Sequence, residues 1–344
     1  MESLQIGYKI FFLFAILAIT LLVAMYATYA ERKVAAFMQD RRGPNRAGPI
    51  GLLQPLADGI KMFMKEEIIP LSANRTLFIL GPSIAMTTAL LTGVVIPWGG
   101  EFTWGGETFS LQIADLNIGI LYIFAMVSIG VYGIMLGGWS SNNKYALLGS
   151  IRAASQMISY ELAMGMSIVA LILVTGTLSL HEIVEQQAGG NWNIFKQPLG
   201  FLIFLICAFA ETNRAPFDLP ECETELIGGF HTEYSSMKLG FYLFAEYINM
   251  FISSAVIATL YFGGYQMPFV HMLPLSPDAL TLVGTFFLFL KIFVIIFFFM
   301  WIRWTLPRFR YDQLMNLGWK GLIPLAILNI LLTGGFIFFK DLLF

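Results

Sequence analysis

Eight apolar runs, at residues 10–30, 77–97, 117–138, 155–177, 195–210, 240–262, 279–304 and 319–340, decide most of what this chain can become. Most have the roughly 20 residues that an α-helix needs to cross the hydrocarbon core of a bilayer. Inside that core every backbone N–H and C=O must be bonded within the protein, which favours helices over open sheets. Charged residues make up only 12% of the chain, against roughly 25% in soluble domains. The expected fold class is therefore all-α: a polytopic membrane protein with eight transmembrane helices and a single membrane domain over residues 1–344. The first run ends in Glu31-Arg32-Lys33 rather than at a small-residue cleavage site, so it is expected to stay as a span. The fifth is unusual, with an unbroken apolar stretch only over residues 199–210, followed by Glu211-Thr212-Asn213-Arg214. Either that helix is short, or its polar end sits at membrane depth in a protein-lined cavity; the broken helices of transporters favour the cavity.

Lysine and arginine set the orientation. Counting residues at the span ends, 16 of them flank the connections 1–2, 3–4, 5–6 and 7–8, and the connections 2–3, 4–5 and 6–7 contain only Lys196. The positive-inside rule then puts those four connections in the cytoplasm and both termini in the periplasm of a bacterial inner membrane. The same bias fits a mitochondrial inner membrane, with the matrix in place of the cytoplasm. A net charge of −2 gives no electrostatic basis for nucleic-acid binding.

The acidic residues are unevenly placed. Of 22, six fall between Ala210 and Tyr234: Glu211, Asp218, Glu221, Glu223, Glu225 and Glu233, with Arg214 the one nearby cation in that window. Crowding and desolvation both disfavour full ionisation of such a cluster, which can therefore hold or pass protons as a coupled unit. Glu221, Glu223 and Glu225 alternate, so an extended segment would present all three on one face; a helix would keep only Glu221 and Glu225 together. Ile227-Gly228-Gly229 offers a hinge to this cytoplasmic loop, residues 211–239. Three further ionisable groups, Glu161, Glu246 and Lys291, lie within apolar spans, Lys291 the deepest. A lysine at the bilayer centre costs about 2.5–3.5 kcal/mol on insertion scales unless it is partnered. Interhelical ion pairs would account for these groups, but three buried charges on three helices, beside an acidic loop, favour a proton-conducting polar axis.

The first cytoplasmic loop, residues 31–75, contains a second pattern. Across residues 51–65, Leu52, Leu56, Ile60 and Phe63 form an apolar stripe, with Gln54, Asp58, Lys61 and Lys65 opposite. That is the pattern of an amphipathic helix in the membrane interface, Pro55 being tolerated in the first turn. Such a helix can form the lip of a lateral opening for a lipid-soluble molecule. No Walker A, G-x-G-x-x-G or H-E-x-x-H sequence is present, and the two cysteines, Cys207 and Cys222, have no ligand spacing. His181 and Glu185 have metal-compatible spacing but stand alone, so no metal is expected. Gly133 and Gly137 read as a close helix-packing contact.

Several phrases carry a resemblance. Glu31-Arg32-Lys33, the run Gln39-Asp40-Arg41-Arg42-Gly43-Pro44-Asn45-Arg46 and LLQPLADGIK resemble the beginning of the H subunit of bacterial NADH:quinone oxidoreductase. That enzyme is respiratory complex I, and the mitochondrial counterpart is NADH dehydrogenase subunit 1. WSSNNKYALLGSIRAASQMISYE, AETNRAPFDLPECETEL, EYSSMKLGFYLFAEY and RWTLPRFRYDQLMNLGWK resemble later motifs of the same family, in family order. The resemblance covers nearly the whole chain. It implies a subunit at the heel of the complex that forms the entrance and lower chamber for quinone (ubiquinone or menaquinone). FMN and iron–sulfur clusters would reside on peripheral partner subunits, with no redox centre and no covalent cofactor on this chain. Other membrane subunits and lipid would complete its surroundings.

By the same resemblance, Glu31, Arg32, Ala57, Asp58 and Tyr247 would wall the quinone entrance. Arg41 and Arg42 would seal the junction with peripheral subunits or order the chamber floor. Asp218, Glu221, Glu223, Glu225 and Glu233 would face the chamber, and Glu161, Glu211 and Glu246 would begin a polar axis into the membrane arm. Lys291 joins the proton-coupling group on its depth alone. Arg303, Arg308 and Arg310 match the last motif, with a structural or docking role, or simple positive-inside anchoring. His231 departs from the motif and receives no role. A membrane subunit of an energy-converting hydrogenase, without a quinone site, and a free-standing proton or ion transporter are the alternatives.

Overall fold

The computed structural model describes residues 2–104, 107–219, 227–268 and 276–343, so Glu221, Glu223 and Glu225 lie outside the described residues. Long helices follow the apolar runs: α1 (Glu2–Met38), α3 (Arg75–Thr92), α4 (Gly119–Ser140), α5 (Lys144–Thr175), α9 (Ser236–Tyr261), α10 (Pro277–Thr305) and α12 (Ile323–Leu343). Between them lie α2 (Gln54–Met64), a two-stranded hairpin of β1 (Glu101–Trp104) and β2 (Glu107–Ser110), α6 (Leu180–Glu185), α7 (Asn193–Lys196), α8 (Pro198–Glu211) and α11 (Tyr311–Asn316). A π-helical turn over Leu317–Leu322 joins α11 to α12. Among the described residues seven helices are long and apolar enough to cross a membrane, and the count is eight when the broken pair, Ala188–Lys196 and Pro198–Glu211, is taken as one span.

Local chemistry fixes the helix ends. The Asn74 side chain accepts from the Leu77 amide at the start of α3, Asn143 from Tyr145 at the start of α5, and Ser276 from Ala279 at the start of α10. Each satisfies an amide that the helix itself leaves open. α5 stops at Gly176, whose φ of 70° closes its last turn in the left-handed region. Several helices outrun the apolar stretches that announce them: α5 begins at Lys144 and α1 continues to Met38. Hydropathy marks the part inside lipid, whereas the hydrogen-bonded ladder continues past it.

The helices pack around α5 and α9. α5 touches α4, α8 and α12; α9 touches α1, α3 and α10. α3 and α4 approach most closely where Gly81 faces Gly133 and Gly137. A Cβ on Gly133 would come within 2.8 Å of the Ala85 amide, and one on Gly137 within 2.1 Å of the Tyr242 hydroxyl. Gly133 and Gly137 therefore serve as the packing contact that their spacing suggests.

α8 has only 14 residues, about 21 Å of helix, and the segment before it is bent by 76°. Non-helical backbone at membrane depth must find partners in the protein, and polar side chains supply them here. Gln187 Nε2 donates to the Thr259 carbonyl at 3.0 Å and Asn193 Nδ2 to the Leu260 carbonyl at 2.9 Å. Gln197, at the break, donates to Thr333 Oγ1 at 2.7 Å and accepts from Asn329 Nδ2 at 3.1 Å, both on α12. Lys291 completes the set. Its ammonium donates to the carbonyls of Phe262, Gly264 and Gln266 at 2.7, 2.7 and 2.9 Å, and lies 5.1 Å from the centre of the Trp192 ring. These carbonyls belong to the non-helical segment that follows α9, close to the negative end of its dipole.

Candidate functional site

Glu31, towards the C-terminal end of α1, is the hub of the first cluster. It is 6% exposed. Its Oε2 accepts from Arg214 Nη1 at 3.1 Å and from the Tyr247 hydroxyl at 2.9 Å, while Oε1 accepts from Arg303. Arg214 follows α8, Tyr247 lies on α9 and Arg303 on α10, so one carboxylate ties four parts of the bundle together. The Arg214 guanidinium also sits 4.1 Å from the centre of the Tyr247 ring. Burial works against its charge, but Tyr247, Glu31 and Glu246 more than offset that and hold it above its ordinary range.

Beside this hub, α1, α2 and α9 enclose a cavity of about 320 Å³. Arg32, Asp58 and Tyr247 line it together with Met25, Leu243 and Phe244. Arg32 Nη1 donates to Asp58 Oδ2 at 2.7 Å, and Gln54 to Asp58 Oδ1 at 3.0 Å, so an ion pair links α1 to α2 across the opening. The apolar stripe of α2 points away from the protein: Leu56 and Ile60 are exposed, and Phe63 is 70% exposed. Ala57 is also exposed. This is the arrangement of an interfacial helix whose greasy side needs lipid.

Deeper in the bundle a second cavity, of about 70 Å³, has Glu211, Thr212, Asn213, Glu246 and Asn249 among otherwise mainly apolar walls. Its volume holds a few waters. The polar end of α8 therefore opens into a protein-lined space. Gln156 of α5, fully buried, holds this end in place by donating to the carbonyls of Ala210 and Phe217 at 2.9 and 2.7 Å. Glu211 Oε2 is buried with no hydrogen-bond partner among the described residues. Glu161 of α5 lies near enough to Glu211 for their charges to interact, and it accepts from Ser128 of α4. Glu246 in turn lies within electrostatic reach of Arg214. Arg214 thus interacts with both Glu31 and Glu246, as Glu211 does with Glu161, and the two sets meet at the cavity that Glu246 and Glu211 both line.

The remaining site residues go elsewhere. Asp218, 3% exposed, accepts from Arg308 at 2.9 Å, so its positive partner comes from outside the acidic window. Glu233 accepts from Asn143 Nδ2 at 2.6 Å and thereby joins the α4–α5 connection. Arg41 and Arg42 line a separate pocket with Lys33 at the end of α1. Lys291 is not brought to the carboxylates: its α9 partner Phe262 lies 16 residues beyond Glu246, about 24 Å along the helix. Its depth reflects the broken backbone that it caps. His181 and Glu185 face each other at 3.2 Å on α6. Arg214, the cation of the acidic window, and Arg303, of the last motif, both hold Glu31, a pairing that nothing in the sequence announces.

Residues 10–334 match the family model described as NADH dehydrogenase. An NADH-quinone oxidoreductase H subunit of Cytophaga hutchinsonii is 69% identical over 320 residues, covering 93% of this chain and 94% of that protein. The NADH-quinone oxidoreductase H subunit of Flavobacterium johnsoniae is 61% identical over 344 residues, covering 99% and 98%. Its counterpart in Flavobacterium psychrophilum is 63% identical over 336 residues, covering 97% and 98%. Similarity of this level along both chains leaves one assignment: the chain belongs to the NADH dehydrogenase family, as a relative of the H subunit of NADH-quinone oxidoreductase.

Proposed function

We infer that this chain forms the membrane entrance and lower chamber for quinone in an NADH-quinone oxidoreductase, and passes the consequence of quinone reduction to buried carboxylates. The observation that carries this reading is the run of groups, joined by hydrogen bonds, by charge or by a shared cavity, from the α1–α2–α9 cavity to Glu161. Arg32, Asp58 and Tyr247 line the opening, and Tyr247 bonds Glu31. Glu31 holds Arg214, Arg214 feels Glu246, and Glu246 shares a cavity with Glu211.

Electrons reach the quinone from FMN and iron–sulfur clusters of peripheral partner subunits. Reduction places negative charge and proton demand in a chamber of low dielectric constant. A buried carboxylate there responds by taking up or releasing a proton, because its charge is only partly compensated. Glu211 is poised for this, with one oxygen unpartnered among the described residues and Glu161 close by. Glu221, Glu223 and Glu225, which lie outside the described residues, belong to the same acidic loop, with Ile227-Gly228-Gly229 as its hinge. The loops bearing these motifs face the cytoplasm and both termini face the periplasm.

Glu161→Gln, Glu211→Gln and Glu246→Gln each lower quinone reduction and proton pumping together, while NADH–ferricyanide reduction, which bypasses this chain, is unchanged. A photoreactive quinone labels α1, α2 and α9. Normal pumping in all three variants would sink the coupling role; labelling confined to other subunits would sink the entrance.

A further inference from the structure

The cavity between α1, α2 and α9 has a lining that a neutral quinone does not explain. Lys61 and Lys65 both face it, one helical turn apart. The other charged groups on its wall, Arg32 and Asp58, neutralise each other at 2.7 Å. Neither lysine has an ion pair among the described residues; the neighbouring Glu67 is taken by Lys238, and Glu66 does not line the cavity. The opposite wall is apolar, with Met25, Leu243 and Phe244. On the outer side of the same helix, Leu56, Ile60 and Phe63 are exposed, which fixes α2 at the depth where headgroups meet acyl chains.

Two unneutralised ammonium groups above an apolar wall at that depth complement one kind of ligand. The geometry points to an anionic phospholipid bound in the mouth of this cavity, its phosphate between Lys61 and Lys65 and an acyl chain along Met25, Leu243 and Phe244. A volume of about 320 Å³ suits a headgroup with the first part of a chain, at the lower end of the usual range for small-molecule sites, roughly 300–1,000 Å³. The lipid would form one side of the opening. Its effect on quinone access rests on the entrance reading above, but its binding does not.

The test uses the intact complex, depleted of native lipid and placed in vesicles of phosphatidylcholine with or without phosphatidylglycerol. Photoactivatable phosphatidylglycerol should label peptides covering residues 54–65 and 240–247, in preference to the phosphatidylcholine analogue. Two surface lysines support a preference of about 30-fold. Lys61→Gln with Lys65→Gln should abolish that preference, and Lys61→Arg with Lys65→Arg should keep it; a native gel shows that both variants assemble. Equal labelling by the two lipids, or labelling that survives the glutamine variant, overturns the site. Displacement of the label by inorganic phosphate would overturn the lipid in favour of a free-phosphate site. Photoreactive quinone that labels elsewhere would fell the entrance reading and leave the lipid result standing.

Discussion

Tyr247→Phe isolates one bond of the Glu31 cluster. The hydroxyl donates to a buried carboxylate at 2.9 Å, while the ring stacks under Arg214 at 4.1 Å. Phenylalanine removes the first contact and keeps the second. A hydrogen bond to a charged group is worth about 1.5–3 kcal/mol net. If it breaks before the complex inactivates thermally, the rate should rise about 10- to 150-fold, at roughly 1.4 kcal/mol per decade. Tyr247→Leu also loses the cation–ring contact, worth about 2 kcal/mol where water is excluded, and should inactivate faster still. Glu31→Gln leaves two guanidinium groups facing an amide, a loss of about 3–5 kcal/mol for a broken buried pair. The assay is the half-life of NADH–quinone activity in membranes at fixed temperature, with NADH–ferricyanide activity as the control for peripheral subunits. The decisive comparison is Tyr247→Phe in the Glu31→Gln background, where most of its effect should vanish. A Tyr247→Phe half-life within about twofold of wild type, or an undiminished effect in the double variant, refutes the cluster as a coupled unit.

Other outcomes follow from the same packing. Gly137→Ala puts a methyl group on the Tyr242 hydroxyl and should cost about 1–3 kcal/mol, read as a lower yield of assembled complex; adding Tyr242→Phe should recover part of it. Lys291→Met leaves three carbonyls without their donor, at about 1–3 kcal/mol for each buried group left unpaired. It should shorten the thermal half-life while protons pumped per electron pair, measured in vesicles, stay unchanged. Gln156→Leu frees the carbonyls of Ala210 and Phe217 and should lower quinone turnover through displacement of Glu211, leaving ferricyanide reduction intact.

The fold was legible wherever a single physical requirement acts along the chain. Lipid demands apolar length, and that demand marks all eight spans; an interface demands a striped helix, and α2 forms over Gln54–Met64 within the expected stretch. The fifth span shows where this reasoning thins out. Its apolar run is short, and Gln197 interrupts it because the interruption is bonded to Thr333 and Asn329 of α12. Those partners are 136 and 132 positions away, too distant for any periodicity to register. The hairpin at Glu101–Ser110 is anchored similarly, with Asp278 accepting from the Thr103 amide at 2.9 Å, and the alternation of Glu101-Phe102-Thr103-Trp104 is too short to stand out between apolar runs.

Charge partners obey the same logic, and they change the meaning of the acidic window. Read along the sequence, Glu211, Asp218 and Glu233 look equivalent. In space they are not. Asp218 is matched by Arg308, and Glu233 bonds Asn143, whereas the window's own cation, Arg214, is drawn 183 positions away to Glu31. That leaves Glu211 beside Glu161, in a mainly apolar cavity, with an oxygen unpartnered among the described residues. Asp218 is held by a cation, whereas Glu211 keeps an oxygen that no hydrogen bond occupies among the described residues. Asp218→Asn should therefore act chiefly on stability, through the Arg308 charge it abandons, and Glu211→Gln chiefly on pumping. Thermal half-life and proton uptake, measured on both variants, separate the two. If Asp218→Asn abolished pumping at an unchanged half-life, the division of labour drawn from these partners would be wrong.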